Sequence, residues 1–376
     1  MKSSGCKLKS SAAERVFTTL RKEILAGKYD AERRFPSEQQ LVRRFDLSRM
    51  TIRLALNRLK TNGMLETRTG SGTYLSPFAH RATGKLGLIV PHIIGGELSP
   101  PICAELGRVA RDEGYSIIFG NSSYADGESR IQRMTSLAWH YVAQGVAGVF
   151  LEPIELVDDA ESATRHIIDF LNRHKVPVVL LDQDIVDPPR RSPYDLVTLD
   201  NVQIGYRVAT HLVEASSRHV CLFARPESAP TVKLRFQGAR EALLDAAFHP
   251  SNITVLLGDP SDAEALSALL SKTNAPDAFL CANDITAVTL MKTLQRIGKR
   301  IPSDILVTGI DDIQVAARSK PSLTTVRQPY REIAHAALAT MLQRLRDPTL
   351  PPRQIMLDAP LVIRRSTRRK TPRKVG

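Results

Sequence analysis

The most constraining feature of this sequence is the alternation of short apolar segments with amphipathic segments from Lys85 onward. Strands that are apolar along their whole length are typical of parallel sheets covered by helices on both faces. Strands with one exposed face instead alternate apolar and polar residues. The sequence therefore predicts an α/β fold for most of the chain. The predicted strands are 86–90, 116–119, 146–151 and 176–181 in a first series, and 196–199, 219–223, 253–257, 278–281 and 305–308 in a second.

Two series of strands predict two Rossmann-like lobes, and ligands bind beyond the carboxyl ends of strands in such sheets. Several predicted strands are followed by a carboxylate or an amide, which suits a ligand rich in hydroxyl groups. These residues are Asn121, Asp182, Asn283 with Asp284, and Asp311 with Asp312. An acid–base couple, a metal site or simple helix caps are the alternatives. No nucleophile elbow, phosphate loop or histidine-rich ligand spacing accompanies them, so no catalytic or metal-binding residue is predicted.

The first eighty residues follow a different pattern. Ser11 and Glu14 form a capping-box sequence, and the apolar residues after them recur every four positions, as in a buried helix stripe. A second cap follows Pro36, and a short break at 46–49 leads to a third predicted helix that stops at Asn62-Gly63. Residues 64–75 form two short extended runs around a glycine-containing turn. Three helices and a small hairpin predict a winged helix-turn-helix of α+β type.

The side chains left outside this small domain suit DNA. Arg49 and Arg53 lie four residues apart on the predicted outer face of the third helix, with Thr51 and Asn57 nearby. Arginine can donate two hydrogen bonds to guanine in the major groove. In the hairpin, glycines let the backbone approach the sugar-phosphate surface. The hairpin residues concerned are Arg68, Gly70 and Gly72.

The net charge of +13 is concentrated at the two ends of the chain. Residues 1–84 carry 17 Lys and Arg against 7 Asp and Glu, and residues 364–376 carry seven basic residues and no acid. The segment 85–363 has 28 basic and 32 acidic residues. A polyanion is therefore expected to bind at the ends, while the middle resembles an ordinary globular domain.

The motifs 35–38 (Phe-Pro-Ser-Glu), 47–53 (Leu-Ser-Arg-Met-Thr-Ile-Arg), 63–65 (Gly-Met-Leu) and 70–73 (Gly-Ser-Gly-Thr) resemble the GntR family of regulators. The resemblance implies that Ser48, Arg49, Thr51 and Arg53 read the major groove and that the wing enters the minor groove. Gln39 stands where the family often has an arginine, and Met50 where it often has a small polar residue. The predicted DNA-binding residues are Ser37, Gln39, Ser48, Arg49, Met50, Thr51, Arg53, Asn57, Arg68, Gly70, Gly72 and Thr73.

The larger segment resembles the sensor domain of LacI/GalR-family repressors, which is a periplasmic-binding-protein-like fold. The matching segments are 197–201, 234–238, 282–284, 301–304, 309–312 and 321–326. The resemblance implies effector contacts from Asp182, Arg235, Asn283 and Asp311. Asn121 is added because ligands bind beyond the carboxyl ends of strands, which we call the strand-end rule. A GntR-type domain joined to a LacI-type sensor resembles regulators of the arabinose-repressor type.

These observations predict five segments. Residues 1–11 are a flexible N-terminus, 12–76 the winged domain, 77–84 a linker containing proline and glycine, 85–366 the ligand-binding domain and 367–376 a disordered basic tail. Within 85–366, the first lobe is predicted to comprise about 85–193 and 328–350. The second lobe is predicted to comprise about 194–327 and 351–366.

The sequence thus predicts a homodimeric transcription regulator, a repressor, that binds double-stranded operator DNA under the control of a small effector, a sugar or sugar derivative. No cofactor, enzyme activity or membrane partner is expected, and the absence of a signal sequence predicts a cytoplasmic protein. Two alternatives remain at this point. One is a DNA-binding protein whose sensor domain binds no ligand and serves dimerisation, and the other is a carbohydrate-binding or carbohydrate-active protein.

Overall fold

The computed structural model describes residues 12–25, 28–29, 34–61, 64–68, 71–75, 84–90, 99–119, 129–157 and 159–368. Within these ranges no helix is both long and apolar enough to span a bilayer. The chain forms a small N-terminal domain and a larger C-terminal module. Their elements are numbered in chain order.

The N-terminal domain has three helices and a two-stranded antiparallel hairpin, as predicted. Its core consists of the apolar residues whose spacing indicated the helices, including Leu20, Leu41 and Ile52. Ser37 caps the second helix by accepting a hydrogen bond from the backbone N–H of Gln40, whose side chain accepts one from Ser37 in return. The elements are α1 (Ala12–Leu25), α2 (Glu38–Phe45), α3 (Arg49–Thr61), β1 (Leu65–Arg68) and β2 (Gly72–Leu75).

The first sheet of the C-terminal module has six parallel strands in the order β13-β7-β6-β5-β3-β4. Its central strands are buried along their whole length, as their continuous apolar sequences predicted. The strands are β3 (Lys85–Ile89), β4 (Ser116–Phe119), β5 (Gly148–Leu151), β6 (Val178–Leu181), β7 (Asp195–Leu199) and β13 (Gln354–Leu357). The helices beside it are α4 (Ser99–Asp112), α5 (Arg130–Ala143), α6 (Ala160–Arg173) and α12 (Tyr330–Arg346).

The predicted boundary between the lobes is wrong at two strands. β7 pairs with β6, with Val197 opposite Leu181, and β13 pairs with β7 on its other side. The segments 195–199 and 354–357, predicted to lie in the second lobe, therefore belong to the first sheet. The reason is that strands of both sheets have the same apolar sequence character, whereas sheet membership is decided by backbone pairing between distant segments.

The second sheet has four parallel strands in the order β11-β10-β8-β9. A separate antiparallel pair, β12 with β14, joins segments close to the crossovers between the two sheets. The strands are β8 (Val220–Ala224), β9 (Ile253–Leu257), β10 (Ala278–Cys281), β11 (Leu306–Thr308), β12 (Thr325–Val326) and β14 (Leu361–Val362). The helices are α7 (Asn201–Glu214), α8 (Pro230–Asp245), α9 (Ala263–Leu270), α10 (Asp284–Arg296) and α11 (Gln314–Arg318), with a 3-10 turn at Pro250–Asn252.

Two glycines allow α7 and α8 to cross in direct backbone contact. A Cβ atom on Gly205 would clash with the carbonyl oxygen of Arg235, and one on Gly238 would clash with that of Val202. This close crossing places the Arg235 side chain beside the N-terminus of α7, where Asn201 begins the helix. The fold thus fixes an arginine at the junction of the two sheets.

Candidate functional site

The outer face of α3 is basic and exposed, as predicted from its sequence. Arg49 and Arg53 both extend from this face, and each guanidinium lies close to the carboxylate of Glu38 at the start of α2. The Nε–Oε separations are 3.6 Å for Arg49 and 3.8 Å for Arg53. Met50 is 66% exposed beside them. Because Glu38 faces both arginines, it can orient them without burying them.

Two predicted DNA-binding hydroxyl groups also stabilise the start of α3. The Oγ of Ser48 accepts a hydrogen bond from the backbone N–H of Thr51 at 3.2 Å and lies 2.8 Å from the Thr51 Oγ1. Gln39 and Asn57 are exposed on α2 and α3. Ser37, the cap of α2, is exposed too.

The hairpin presents a second basic surface. The Arg68 guanidinium lies 4.5 Å from the ring centroid of Tyr74, and its Nε donates to Glu66 at 2.9 Å. Gly72 has φ +119°, and the guanidinium of Arg34 occupies the space where a Cβ atom would lie. The carbonyl of Thr73 accepts a hydrogen bond from the backbone N–H of Phe35. Gly70 lies outside the described residues.

Arg34 was not predicted as part of this surface. Its backbone bridges to Tyr74 and extends the hairpin by one more short segment. No local pattern around Arg34 indicates this, because the bridge joins residues forty positions apart in the sequence.

A cavity of about 340 Å³ lies between the two sheets of the C-terminal module. It is lined by residues that follow strands in both sheets, which is where ligands bind in this class of fold. Four of the five predicted contacts are brought together there: Asp182, Arg235, Asn283 and Asp311. The fifth, Asn121, lies outside the described residues.

Arg235 is buried and held by neutral acceptors. Its Nε donates to the Asn201 Oδ1 at 2.7 Å, and its Nη1 donates to the carbonyl oxygen of Ala282 at 2.7 Å. The amide nitrogen of Asn201 in turn donates to the Leu199 carbonyl. Asn201 was part of the sequence resemblance but was not predicted as a site residue. It positions the arginine from the end of β7.

The two predicted aspartates lie in an environment that disfavours their charge. Burial raises the pKa of Asp311 to about 7, against the opposing effects of Arg235 and of a hydrogen bond from the Gln328 side chain. Burial also raises the pKa of Asp182, and Arg235 lowers it. Both residues have positive φ, 65° for Asp182 and 125° for Asp311. Such backbone conformations are uncommon outside glycine and are often found at functional sites.

Three neighbouring polar residues have structural partners. The Asn283 side chain caps α10 by accepting from the Thr286 N–H, while the residue still lines the cavity. Asp284 is fully buried and accepts hydrogen bonds from the Thr325 Oγ1 and the Ile313 N–H. Asp312 pairs with Arg327 and Arg364. Asp284 and Asp312 therefore stabilise the loops beside the cavity.

The cavity also contains polar residues that were not predicted. Glu152 follows β5 directly, so the strand-end rule already contained the signal for it. Glu155 is three residues further on, and Arg130 donates to its backbone carbonyl from α5 at 2.7 Å. Gln328 and Tyr330 come from the segment that crosses back to the first sheet. That crossing has no local signature in the sequence.

The two lobes contact each other at the rim of the cavity. Glu155 accepts a hydrogen bond from the Ala229 N–H through its Oε2, and the Leu156 N–H donates to the Glu227 carbonyl. A salt bridge of 2.6 Å joins Lys233 to Asp187. These contacts hold the two sheets together around the cavity. In the described part of the chain no three His, Cys, Asp or Glu residues are grouped as metal ligands.

Two family models match this chain. Residues 12–75 match the bacterial regulatory proteins of the gntR family, and residues 209–367 match the periplasmic binding protein-like domain. These matches confirm the winged domain and the type of the larger module that the sequence predicted.

The chain is similar to known transcription regulators. It is 24% identical over 361 residues to the arabinose metabolism transcriptional repressor of Geobacillus stearothermophilus, covering 92% of this chain and 94% of the relative. It is 31% identical over 208 residues to the transcriptional repressor PurR of Photobacterium profundum, covering 54% of this chain and 60% of that one. Among solved structures, a complex of the transcriptional regulator CelR with cellobiose has a TM-score of 0.62 at 21% identity, covering 95% of this chain and all of the other.

Proposed function

We propose that this chain, which joins a domain matching the gntR family to a periplasmic-binding-protein-like domain, is an effector-controlled transcription regulator. It acts as a repressor in the cytoplasm. The observation that carries the proposal is the presence, in one chain, of a basic exposed α3 face and a polar cavity between two lobes. Neither feature alone defines a regulator. Together they supply an output surface for DNA and an input site for a small molecule.

The winged domain is proposed to bind duplex DNA with α3 in the major groove. Arg49 and Arg53 then reach guanine edges, with the exposed Asn57 beside them. Ser48 and Thr51, at the start of α3, face phosphate or bases at the groove edge. The hairpin with Arg68, together with Arg34, contacts the adjacent sugar-phosphate surface.

The remaining predicted residues of the winged domain, Ser37, Gln39, Met50, Gly70, Gly72 and Thr73, complete the proposed DNA surface. The functional segments are proposed as 12–76 for DNA binding and 85–367 for effector binding, with 77–84 as the linker and 368–376 as a basic tail. Thr367, predicted as the first residue of the tail, is instead buried, and its Oγ1 lies 2.8 Å from the His211 Nε2.

The cavity is proposed to bind a sugar or sugar derivative. A volume of about 340 Å³ lies within the usual range for small-molecule sites, and its carboxylates, amides and arginine can donate to and accept from several hydroxyls. Asp182, Arg235, Asn283 and Asp311 are the proposed contacts. The similarity to a repressor of arabinose metabolism and to a cellobiose complex supports the same class of ligand.

The functional unit is proposed to be a homodimer. β9 is one of the two edge strands of the second sheet, and Val255 and Leu257 on it are 55% and 61% exposed. Exposed apolar residues on a sheet edge favour association with another chain. Two winged domains held in one dimer can occupy two half-sites of a palindromic operator. The change Leu257→Asp should shift the protein from dimer to monomer in sedimentation analysis.

The proposal is tested in two steps. First, the full-length protein selects its preferred sequence from randomised duplex DNA, and fluorescence anisotropy gives its affinity for that duplex. Second, the affinity is measured again with saturating sugars from a panel. An effector changes operator affinity only through different affinities for the DNA-competent and DNA-incompetent states. Selection of no sequence would contradict DNA-directed function, and an operator affinity indifferent to every bound sugar would contradict effector control.

A further inference from the structure

The cavity contains more carboxylates than arginines. Glu152, Glu155, Asp182 and Asp311 line it, together with Arg130, Arg225 and Arg235. The numbers of the two charges are nearly equal, so ligand binding depends on which charges lie close to one another.

The positive charge of an arginine lowers the pKa of three of these carboxylates. Arg235 lowers the pKa of Glu155, Asp182 and Asp311, and Arg130 also lowers that of Glu155. Arg225 lowers the pKa of Asp259, an exposed carboxylate on the second lobe. In the described part of the chain no arginine forms a salt bridge with Glu152, and none of these three arginines is among the groups that shift its pKa most.

Glu152 instead faces charges of its own sign. Its pKa is raised well above the ordinary value by burial and by the carboxylates of Asp182, Glu155 and Asp311. Glu152 lines the cavity from the carboxyl end of β5 in the first lobe, whereas the buried Arg235 lines it from α8 in the second lobe. Ionising this half-buried carboxylate beside like charges is costly unless a ligand supplies a counter-charge.

We infer that the effector presents a cationic nitrogen to Glu152 and hydroxyl groups to the rest of the cavity, so that it is an amino sugar or a similar amino polyol. The inference rests on the proposed function and refines it. A protonated amine is a compact donor of three hydrogen bonds, and Glu152 with Asp182 can accept them as charge-assisted bonds. A neutral sugar leaves Glu152 unpaired, and a phosphorylated sugar adds further negative charge to this wall.

Matched pairs of ligands test the inference on the full-length protein. Isothermal titration calorimetry compares glucosamine, galactosamine and mannosamine with glucose, galactose and mannose, and with the N-acetylated amines, which keep the nitrogen but lose its charge. At least one amine should bind about tenfold more tightly than both of its uncharged partners, as expected for one added charge-assisted bond. Glu152→Gln should reduce this preference to about twofold or less, whereas the exposed change Glu241→Gln should leave it intact.

Thermal unfolding of each variant shows whether the fold is retained. A neutral sugar that binds as tightly as its amine overturns the inference, as does a preference that survives in Glu152→Gln, or the binding of none of the amines. The proposed function is tested separately by operator affinity. If a neutral sugar changes that affinity, the regulator stands and the cationic effector is refuted.

Discussion

The guanidinium of Arg21 in α1 lies 5.5 Å from the ring centroid of Tyr115 in the C-terminal module. It also lies over Gly114, where a Cβ atom would clash with it, and Gly114 has φ +75°. Burial lowers the pKa of Arg21, while Tyr115 and Glu113 act in the opposite direction. The first helix of the winged domain is therefore in direct contact with the turn between α4 and β4.

This contact lies at the far end of a helix that reaches the cavity. Ile102, near the start of α4, lines the cavity, and Gly114 follows two residues after the helix ends. A helix of 14 residues is about 21 Å long. α12 packs against α4 and runs in the same direction, from Tyr330 at the cavity to Arg346. The charge of Arg346 lowers the pKa of Tyr115. A movement of either helix at the cavity is expected to reach the Arg21 contact.

We expect Arg21→Ala to loosen the winged domain from the larger module. The lost guanidinium contacts Tyr115 and Gly114, so the two parts should separate more often and the radius of gyration should increase in small-angle X-ray scattering. The exposed change Thr18→Ala, on the same helix, is the control. An unchanged radius in Arg21→Ala would show that this contact does not hold the domains together.

Glu152→Gln should stabilise the protein without ligand, and more so at higher pH. The pKa of Glu152 is raised in the folded state by burial and by neighbouring carboxylates, so the folded protein retains a proton that the unfolded chain releases. The resulting destabilisation is absent below the ordinary glutamate pKa and grows as pH rises above it.

Melting temperatures of the wild type and Glu152→Gln, measured from pH 4 to pH 8, check this sign. The difference should be small at about pH 4, near the ordinary glutamate value, and should increase in favour of the variant toward neutral pH. A difference that stays constant over the range would mean that Glu152 ionises equally in both states.

Asn201→Ala should destabilise the C-terminal module. It removes the acceptor for the Arg235 Nε, and that atom lies in a buried side chain. Leaving one buried charged donor unsatisfied costs about 1–3 kcal/mol or more. Urea denaturation measures the loss, and Asn201→Asp, which keeps an acceptor, should retain more stability. Equal loss in both variants would argue against the hydrogen bond as the cause.

The sequence predicted the general fold well because core patterns are local. The spacing of apolar residues around Leu20 in α1 and around Ile52 in α3 reflects helix periodicity. The continuous apolar run at 178–181 reflects burial on both faces of a sheet. Sheet membership of β7 was missed because it depends on pairing Val197 with Leu181 across the non-helical connection 182–194. Local sequence carries no information about that choice.

The candidate site was predicted in part for the same reason. Asp182 and Asp311 follow strands, and parallel topology brings strand ends together. Glu152 satisfies the same rule and was overlooked, whereas Gln328 enters the cavity only through a crossover that no local pattern marks. Arg34 reaches the hairpin by a bridge to Tyr74, which is again a long-range pairing.

Arg53→Ala should separate sequence-specific from non-specific DNA binding. Arg53 is exposed on α3 and lies 3.8 Å from Glu38, which can aim it outward but does not bury it. A bidentate contact to guanine contributes about 1–3 kcal/mol of discrimination, so operator affinity should fall by that amount while affinity for random duplex changes little. Arg15→Ala, an exposed basic residue on α1, is the control for loss of charge alone. Anisotropy titrations at several salt concentrations distinguish the two roles, because a phosphate contact would weaken all DNA equally and flatten the salt dependence. Equal weakening on operator and random duplex would show that Arg53 binds the backbone and reads no base.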